Sequence, residues 1–99
     1  MIRVQGEVPM MTRLRARTLD GKPIEFWYHD VGIIESDGIS NTAACRFQVG
    51  TKAVWSEYTW IPHITPDPCR DREQADFQVL RSVFGIDPET IDFAGIPVS

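Results

Sequence analysis

The sequence lacks several features that would place it in a functional class. No apolar run approaches the roughly 20 residues that span a bilayer, so we expect no membrane segment. Its two cysteines are too few for a disulfide scaffold. GxGxxG, P-loop, HExxH and GxSxG motifs do not occur. These absences give no indication of a bound cofactor, and we predict none.

Excess positive charge is also missing. The formal net charge is -4 and the isoelectric point is near 5.0. Nucleic-acid-binding domains usually carry a basic footprint, so a nucleic-acid partner is not expected. Residues 1–6 contain no apolar segment of the kind found in signal peptides, which favours a cytoplasmic location. In that compartment Cys45 and Cys69 are predicted to be buried thiols.

The composition that remains is that of an ordinary globular domain. The chain has 99 residues, of which 42% are hydrophobic and 24% are charged. This length is close to the commonest domain size, and no linker or repeat divides it. We therefore predict a single domain over residues 1–99.

Two segments near the N-terminus predict a hairpin. Residues 12–18 alternate between arginine and smaller or apolar side chains, which is typical of a half-buried strand. Residues 24–29 also alternate and are rich in strand-forming residues. Asp20-Gly21 between them is a turn sequence. Matching the two faces favours a three-residue loop, from Asp20 to Lys22, that pairs Leu14 with Tyr28.

Continued alternation would bury Asp30, which is unfavourable without a partner. A bulge near Asp30 and Gly32 would return Val31 and Ile33 to the core. Residues 36–41 then form a turn by composition.

A second hairpin follows that turn. Residues 43–49 form the next strand, and Gly50-Thr51 suits a two-residue type II′ loop. The returning strand then pairs Val54 with Phe47 and places Trp55 opposite Arg46.

A helix is predicted after the proline-rich segment that ends at Pro68. Asp67 or Asp71 suits its N-cap, and Gly85 suits its C-terminal stop. Its apolar stripe contains Phe77, Leu80, Val83 and Phe84. Asp87-Pro88 then predicts a short helical turn, followed by an extended tail from residue 93 to residue 99.

Together these segments predict an α+β fold. It consists of an antiparallel meander of about five strands, counting one before Met11, and a single C-terminal helix packed on one sheet face. The chain could also start at Met10 or Met11, which would remove only that first strand.

The sheet face opposite the helix is the main candidate site. The predicted registers place arginine and tryptophan side chains there, and both types are enriched at binding hot spots. The alternative is a solvated face on which charges pair across strands. The candidate binding residues are Arg13, Arg15, Arg17, Trp27, His29, Arg46 and Trp55, and Glu25 and Glu57 lie among them.

Catalytic and metal chemistry have weaker support. His29, Cys45, His63 and Cys69 could supply four zinc ligands, but they lack the paired spacing of zinc fingers. His63 and Cys69 are close enough in sequence for a nucleophile and base, although no third member is evident. We predict no catalytic residue and no metal ligand.

Three functional hypotheses remain. The first is a non-enzymatic protein-binding module that uses the arginine- and tryptophan-rich face, such as an inhibitor of a larger enzyme or complex of the immunity or phage anti-defence type. The second is a small enzyme or metal-binding protein centred on His63 and Cys69. The third is a homo-oligomeric subunit, for example a homodimer, that covers Trp27 and Trp55 with another copy.

Overall fold

A computed structural model describes residues 11–93 of the chain. One five-stranded antiparallel sheet has the order β4-β3-β2-β1-β5, with one helix packed against it, and this confirms the predicted α+β class. The predicted strand before Met11 and the tail after Phe93 lie outside the described residues. The elements are β1 (Thr12–Thr18), β2 (Pro23–Ser36), β3 (Asn41–Val49), β4 (Lys52–Trp60), α1 (Pro68–Phe84) and β5 (Ile86–Asp92).

The β1–β2 hairpin has a three-residue loop, one position earlier than predicted. Leu14 pairs with Phe26, and the Thr18 amide donates to the Lys22 carbonyl at 2.7 Å, so the loop runs from residue 19 to residue 21. Gly21 is its last residue, with φ of 87°, a conformation that glycine adopts readily. The register therefore differs from the prediction by two residues. A shift of two leaves every side chain on its predicted face.

β2 contains the bulge that Asp30 predicts. The β2–β3 register shifts between Asp30 and Gly32, and Gly32 has φ of 82°. It shifts again between Ile33 and Glu35. The expectation that Ile33 returns to the core is wrong, because its side chain is 57% exposed. The core cluster, as far as the described residues show, does not extend along β2 beyond Tyr28, and the hairpin continues past it.

The β3–β4 hairpin confirms the predicted register. Phe47 pairs with Val54, and Arg46 pairs with Trp55. Gly50 has φ of 59°, whereas no non-glycine residue of the described chain has a positive φ. A type I′ turn needs two positive φ values, so this loop fits type II′.

Helix α1 begins and ends where the sequence predicts. Asp67 is the N-cap, and its carboxylate accepts a hydrogen bond from the Arg70 amide at 3.0 Å. Pro68 occupies the start of the helix, where its missing N–H leaves no bond unmade. Gly85 ends the helix in the left-handed conformation, with its amide donating to the Arg81 carbonyl.

The segment after the helix is a strand, so the predicted helical turn at Asp87-Pro88 is wrong. β5 pairs with the free edge of β1, where Thr18 lies opposite Ile86. A register shift lies between Arg15 and Arg17, and there the Arg17 amide donates to the Thr90 hydroxyl at 2.8 Å. Pairing with β1 and complete burial of Ile86 outweigh the local preference for a turn.

The core lies between α1 and one face of the sheet. Phe26, Leu80, Ile86 and Cys45 are its largest fully buried side chains. Phe77 and Phe84 of the helical stripe pack against this cluster. Helix α1, the one helix within residues 11–93, is too short and too polar to span a bilayer.

Candidate functional site

The two faces of the sheet differ because strand residues point alternately to opposite sides. Cys45 and Phe47 face α1, together with their β4 partners Ser56 and Val54. Arg46, between them in sequence, points the other way and lies opposite Trp55. We call this second surface the Arg/Trp face, and its members are Arg13, Arg15, Arg17, Glu25, Trp27, His29, Arg46, Trp55 and Glu57.

Arg13 and Trp27 form the centre of one row of this face. They are cross-strand partners, and the Arg13 guanidinium carbon lies 6.0 Å from the centroid of the Trp27 ring. This is the outer limit of a cation–π contact. Trp27 remains 41% exposed. The arginine therefore orients the ring without covering it.

The next row crosses three strands. His29 pairs with Arg46, and Arg46 pairs with Trp55. An Arg46 guanidinium N–H donates to the Met11 sulfur at 3.8 Å. Trp55 is 55% exposed. This row therefore presents a second indole beside an arginine.

Glu25 balances part of the positive charge. Its carboxylate lies 3.4 Å from Arg15 Nε and 3.8 Å from Arg13 Nε. All three side chains are half or more exposed, so solvent weakens these pairs. Arg17 lies at the end of the face and donates to the Gly21 carbonyl at 3.0 Å. Charge pairing across strands is thus present, as the alternative interpretation expects, and both indoles stay exposed beside it.

A polar network under α1 is the second chemically distinctive region, and sequence reasoning missed it. Arg72 makes an ion pair with Asp30, its guanidinium donates to the Cys45 sulfur at 2.6 Å, and it lies 3.9 Å from Asp76. The Ser56 hydroxyl donates to Asp76 at 2.7 Å. The network therefore joins the helix to β2, β3 and β4.

The sequence held one indication of this network. Alternation placed Asp30 on the core face, where a carboxylate needs a partner. Arg72 and Asp76 are four residues apart in the helix, and in sequence alone they resemble an ordinary surface pair. Their positions over Asp30 and Ser56 depend on how the helix crosses the sheet, which no local pattern predicts.

Burial controls the protonation of this network. It raises the pKa of the Cys45 thiol from 9.0 to about 12, and the Asp76 charge acts in the same direction. Burial also raises the pKa of Asp76, although hydrogen bonds from Ser56 and Cys45 oppose it. Burial disfavours the Arg72 charge, but hydrogen bonds to Asp30 and Cys45 outweigh it, and the pKa rises. Cys45 is thus held as a neutral thiol.

The second-ranked candidate, His63 with Cys69, lies at the helix entrance. His63 is exposed in the loop after β4, and Cys69 is exposed in the first turn of α1 rather than buried as predicted. Pro68 and the Asp67 cap fix this turn at the surface, which keeps the thiol out of the core. His29 and Cys45 point to opposite faces of the sheet. Residues 11–93 contain no cluster of three or more His, Cys, Asp or Glu side chains suited to a metal ion.

Comparisons with known proteins found no relative of this chain. No protein-family model, no curated protein and no solved structure matches the chain.

Proposed function

We propose that this protein is a non-enzymatic binding module that captures another protein through the Arg/Trp face. One observation carries the proposal. Trp27 and Trp55 remain 41% and 55% exposed on the same side of one sheet, beside the aligned arginines Arg13 and Arg46. Tryptophan and arginine are the residue types most enriched at binding hot spots.

The backbone under this face favours binding because it is already ordered. The face is carried by the central strands of the sheet, β1, β2 and β3, together with β4. Paired strands hold the side chains in fixed rows, so little backbone entropy is lost on association. A rigid surface with two large aromatic side chains is a suitable platform for a flat partner.

The charge of the face favours an acidic protein surface as the partner. Within the Arg/Trp face there are four arginines and two glutamates, although the whole chain has a net charge of -4. Such local complementarity accelerates encounter with an acidic patch. Nucleic acid has less support, because the rest of the chain is acidic and would repel a phosphate backbone. Inhibition of a larger cytoplasmic enzyme or complex, as in immunity or phage anti-defence proteins, is the narrower form of this proposal.

Affinity capture from a native lysate, with this protein as bait, tests the proposal. Trp27→Ala and Arg15→Ala baits should lose the captured protein while keeping their thermal stability. Ile64→Ala and Arg81→Ala are matched controls, because both residues are exposed and lie outside the Arg/Trp face. The controls should retain the partner. Equal capture by all five baits would contradict a role for this face.

A second copy of the chain is the alternative occupant of the face. Sedimentation of the purified protein over a range of concentrations separates the two cases. A monomer throughout leaves the face available for another protein. A dimer that Trp27→Ala dissociates would instead assign the face to self-association and overturn the proposal.

A further inference from the structure

The side of the sheet that faces the helix contains a cleft whose chemistry differs from that of the Arg/Trp face. It has a volume of about 440 Å³ and lies between α1 and the sheet. The backbone of α1 runs close to β3, β4 and β5. Leu14 of β1 and Phe26 and Tyr28 of β2 line the cleft, so it opens over the strands between those anchoring points. Cavities of this size hold small organic ligands.

Aromatic rings dominate the walls of this cleft. Tyr28 and Phe47 stack with ring centroids 5.8 Å apart, and Phe77 of the helix faces the same space. Phe93 lies at the margin and is exposed. Aromatic faces attract positively charged groups, and clusters of them are the usual sites for substituted ammonium ions.

Acidic side chains line the cleft, and Glu73 is exposed at its lip. Among the lining residues within positions 11–93, Asp30, Glu73 and Asp76 contribute three carboxylates, and Arg72 contributes the one cationic group. That guanidinium already pairs with Asp30 and lies close to Asp76. These described lining residues have a formal excess of two negative charges in a partly desolvated space, where electrostatic interactions are stronger than in water.

From this combination we propose that the cleft binds an organic cation, an ammonium group attached to a hydrocarbon or aromatic body. The apolar part lies against the aromatic walls. The ammonium lies at the lip, near the exposed carboxylate of Glu73. An organic anion would meet the same carboxylates and be repelled. This site lies on the side of the sheet opposite the Arg/Trp face, so its test does not depend on the protein-binding proposal.

Three probes of one shape and different charge test the inference. They are 4-phenylbutylammonium, 4-phenylbutanol and 4-phenylbutyrate, each titrated into the full chain by calorimetry at millimolar concentration and neutral pH. We expect the ammonium to bind about tenfold more tightly than the alcohol, and the carboxylate to bind most weakly. Equal affinity of the ammonium and the carboxylate, or no heat from any probe, would overturn the proposal.

Cys69 reports directly on occupancy. It lines the cleft and is exposed, whereas Cys45 is buried. A thiol-alkylating reagent at neutral pH should therefore modify Cys69 alone. The ammonium probe should slow this reaction in proportion to its binding, and 4-phenylbutyrate should not. Modification at an unchanged rate with saturating ammonium probe would place the binding elsewhere and contradict the cleft.

Two exposed lining residues allow substitution without disturbing the core. Glu73→Gln removes one carboxylate from the lip, and Phe93→Ala removes one aromatic face. Each should weaken the ammonium probe by about two- to fivefold. Glu57→Gln makes the same charge change on the Arg/Trp face and should leave this affinity unchanged. Equal loss with Glu57→Gln would indicate a general effect of net charge rather than a site.

Discussion

The two faces of the sheet are built from the same strands, but they differ in almost every physical property. Phe26 is 1% exposed on the face that α1 covers, and Trp27, the next residue, is 41% exposed on the other. The covered face holds the core, a partly buried polar network and an acidic cleft. The open face holds arginines and indoles. Alternation along a strand therefore gives adjacent residues opposite exposure and different chemistry.

The largest difference should appear when adjacent residues are truncated. Phe26→Ala removes a fully buried ring and should lower the free energy of unfolding by about 3–5 kcal/mol. Trp27→Ala should lower it by less than about 1 kcal/mol, because the indole is partly exposed. Urea denaturation followed by circular dichroism measures both. Equal losses would contradict the assignment of the two faces.

Breaking the polar network under α1 should lower the free energy of unfolding by an intermediate amount. Asp76→Asn removes the carboxylate that accepts from Ser56 and lies near Arg72. We expect a loss of about 1–3 kcal/mol, because the partly buried Arg72 guanidinium and the buried Ser56 hydroxyl lose their charged partner. Glu25→Gln on the open face is the matched change. A loss from Asp76→Asn no larger than that of the control would show that the network does not hold the helix.

Alkaline pH should lower the free energy of unfolding through ionisation of Cys45 on the covered face. Its folded pKa of about 12 lies above the unfolded value of 9.0, so the folded state retains the thiol proton between these values. The contribution of Cys45 to the free energy of unfolding is fully present below pH 9. It is lost as the pH rises towards 12, by up to about 1.4 kcal/mol per pH unit. Cys45→Ala should flatten this slope in urea melts.

Tyr28 must be separated from Cys45 in that measurement. Burial, followed by the Asp30 charge, also raises the pKa of Tyr28. Ionisation of Tyr28 therefore also lowers the free energy of unfolding at high pH. A Tyr28→Phe variant should retain the part of the slope that begins near pH 9. If Cys45→Ala has the same slope as the parent chain, the thiol is not the responsible group.

The smallest effect should come from the charges of the open face. Glu25→Gln removes pairs with Arg13 and Arg15 in which all the side chains are about half exposed or more. We expect the free energy of unfolding to change by less than about 0.5 kcal/mol. Denaturation in low and high salt should give the same small value. A larger, salt-sensitive loss would mean that these charges stabilise the fold.

Local chemistry made much of the fold predictable. Asp67, Pro68 and Gly85 determine the helix ends, and Gly50 determines the β3–β4 turn. Alternation placed the candidate binding residues on one face even though the first hairpin register was displaced, because a shift of two preserves the faces. Their role in binding stays a prediction.

Long-range contacts were not predictable in the same way. β5 forms by pairing with the edge of β1, whereas Asp87-Pro88 by itself favours a turn. The pairing of Arg72 with Asp30 spans 42 positions of sequence. The cleft follows from the path of α1 over the sheet. Each of these features arises from packing between elements rather than from any single segment.

The most direct test of the account is one paired measurement on Trp27→Ala. With the captured partner purified, calorimetry gives the dissociation constant, and thermal unfolding gives the stability of the same sample. The account predicts an affinity about 30-fold weaker, as expected for a hot spot, and an almost unchanged melting temperature. Unchanged affinity, or a loss of affinity that accompanies unfolding, would contradict the separation of recognition from stability on the two faces.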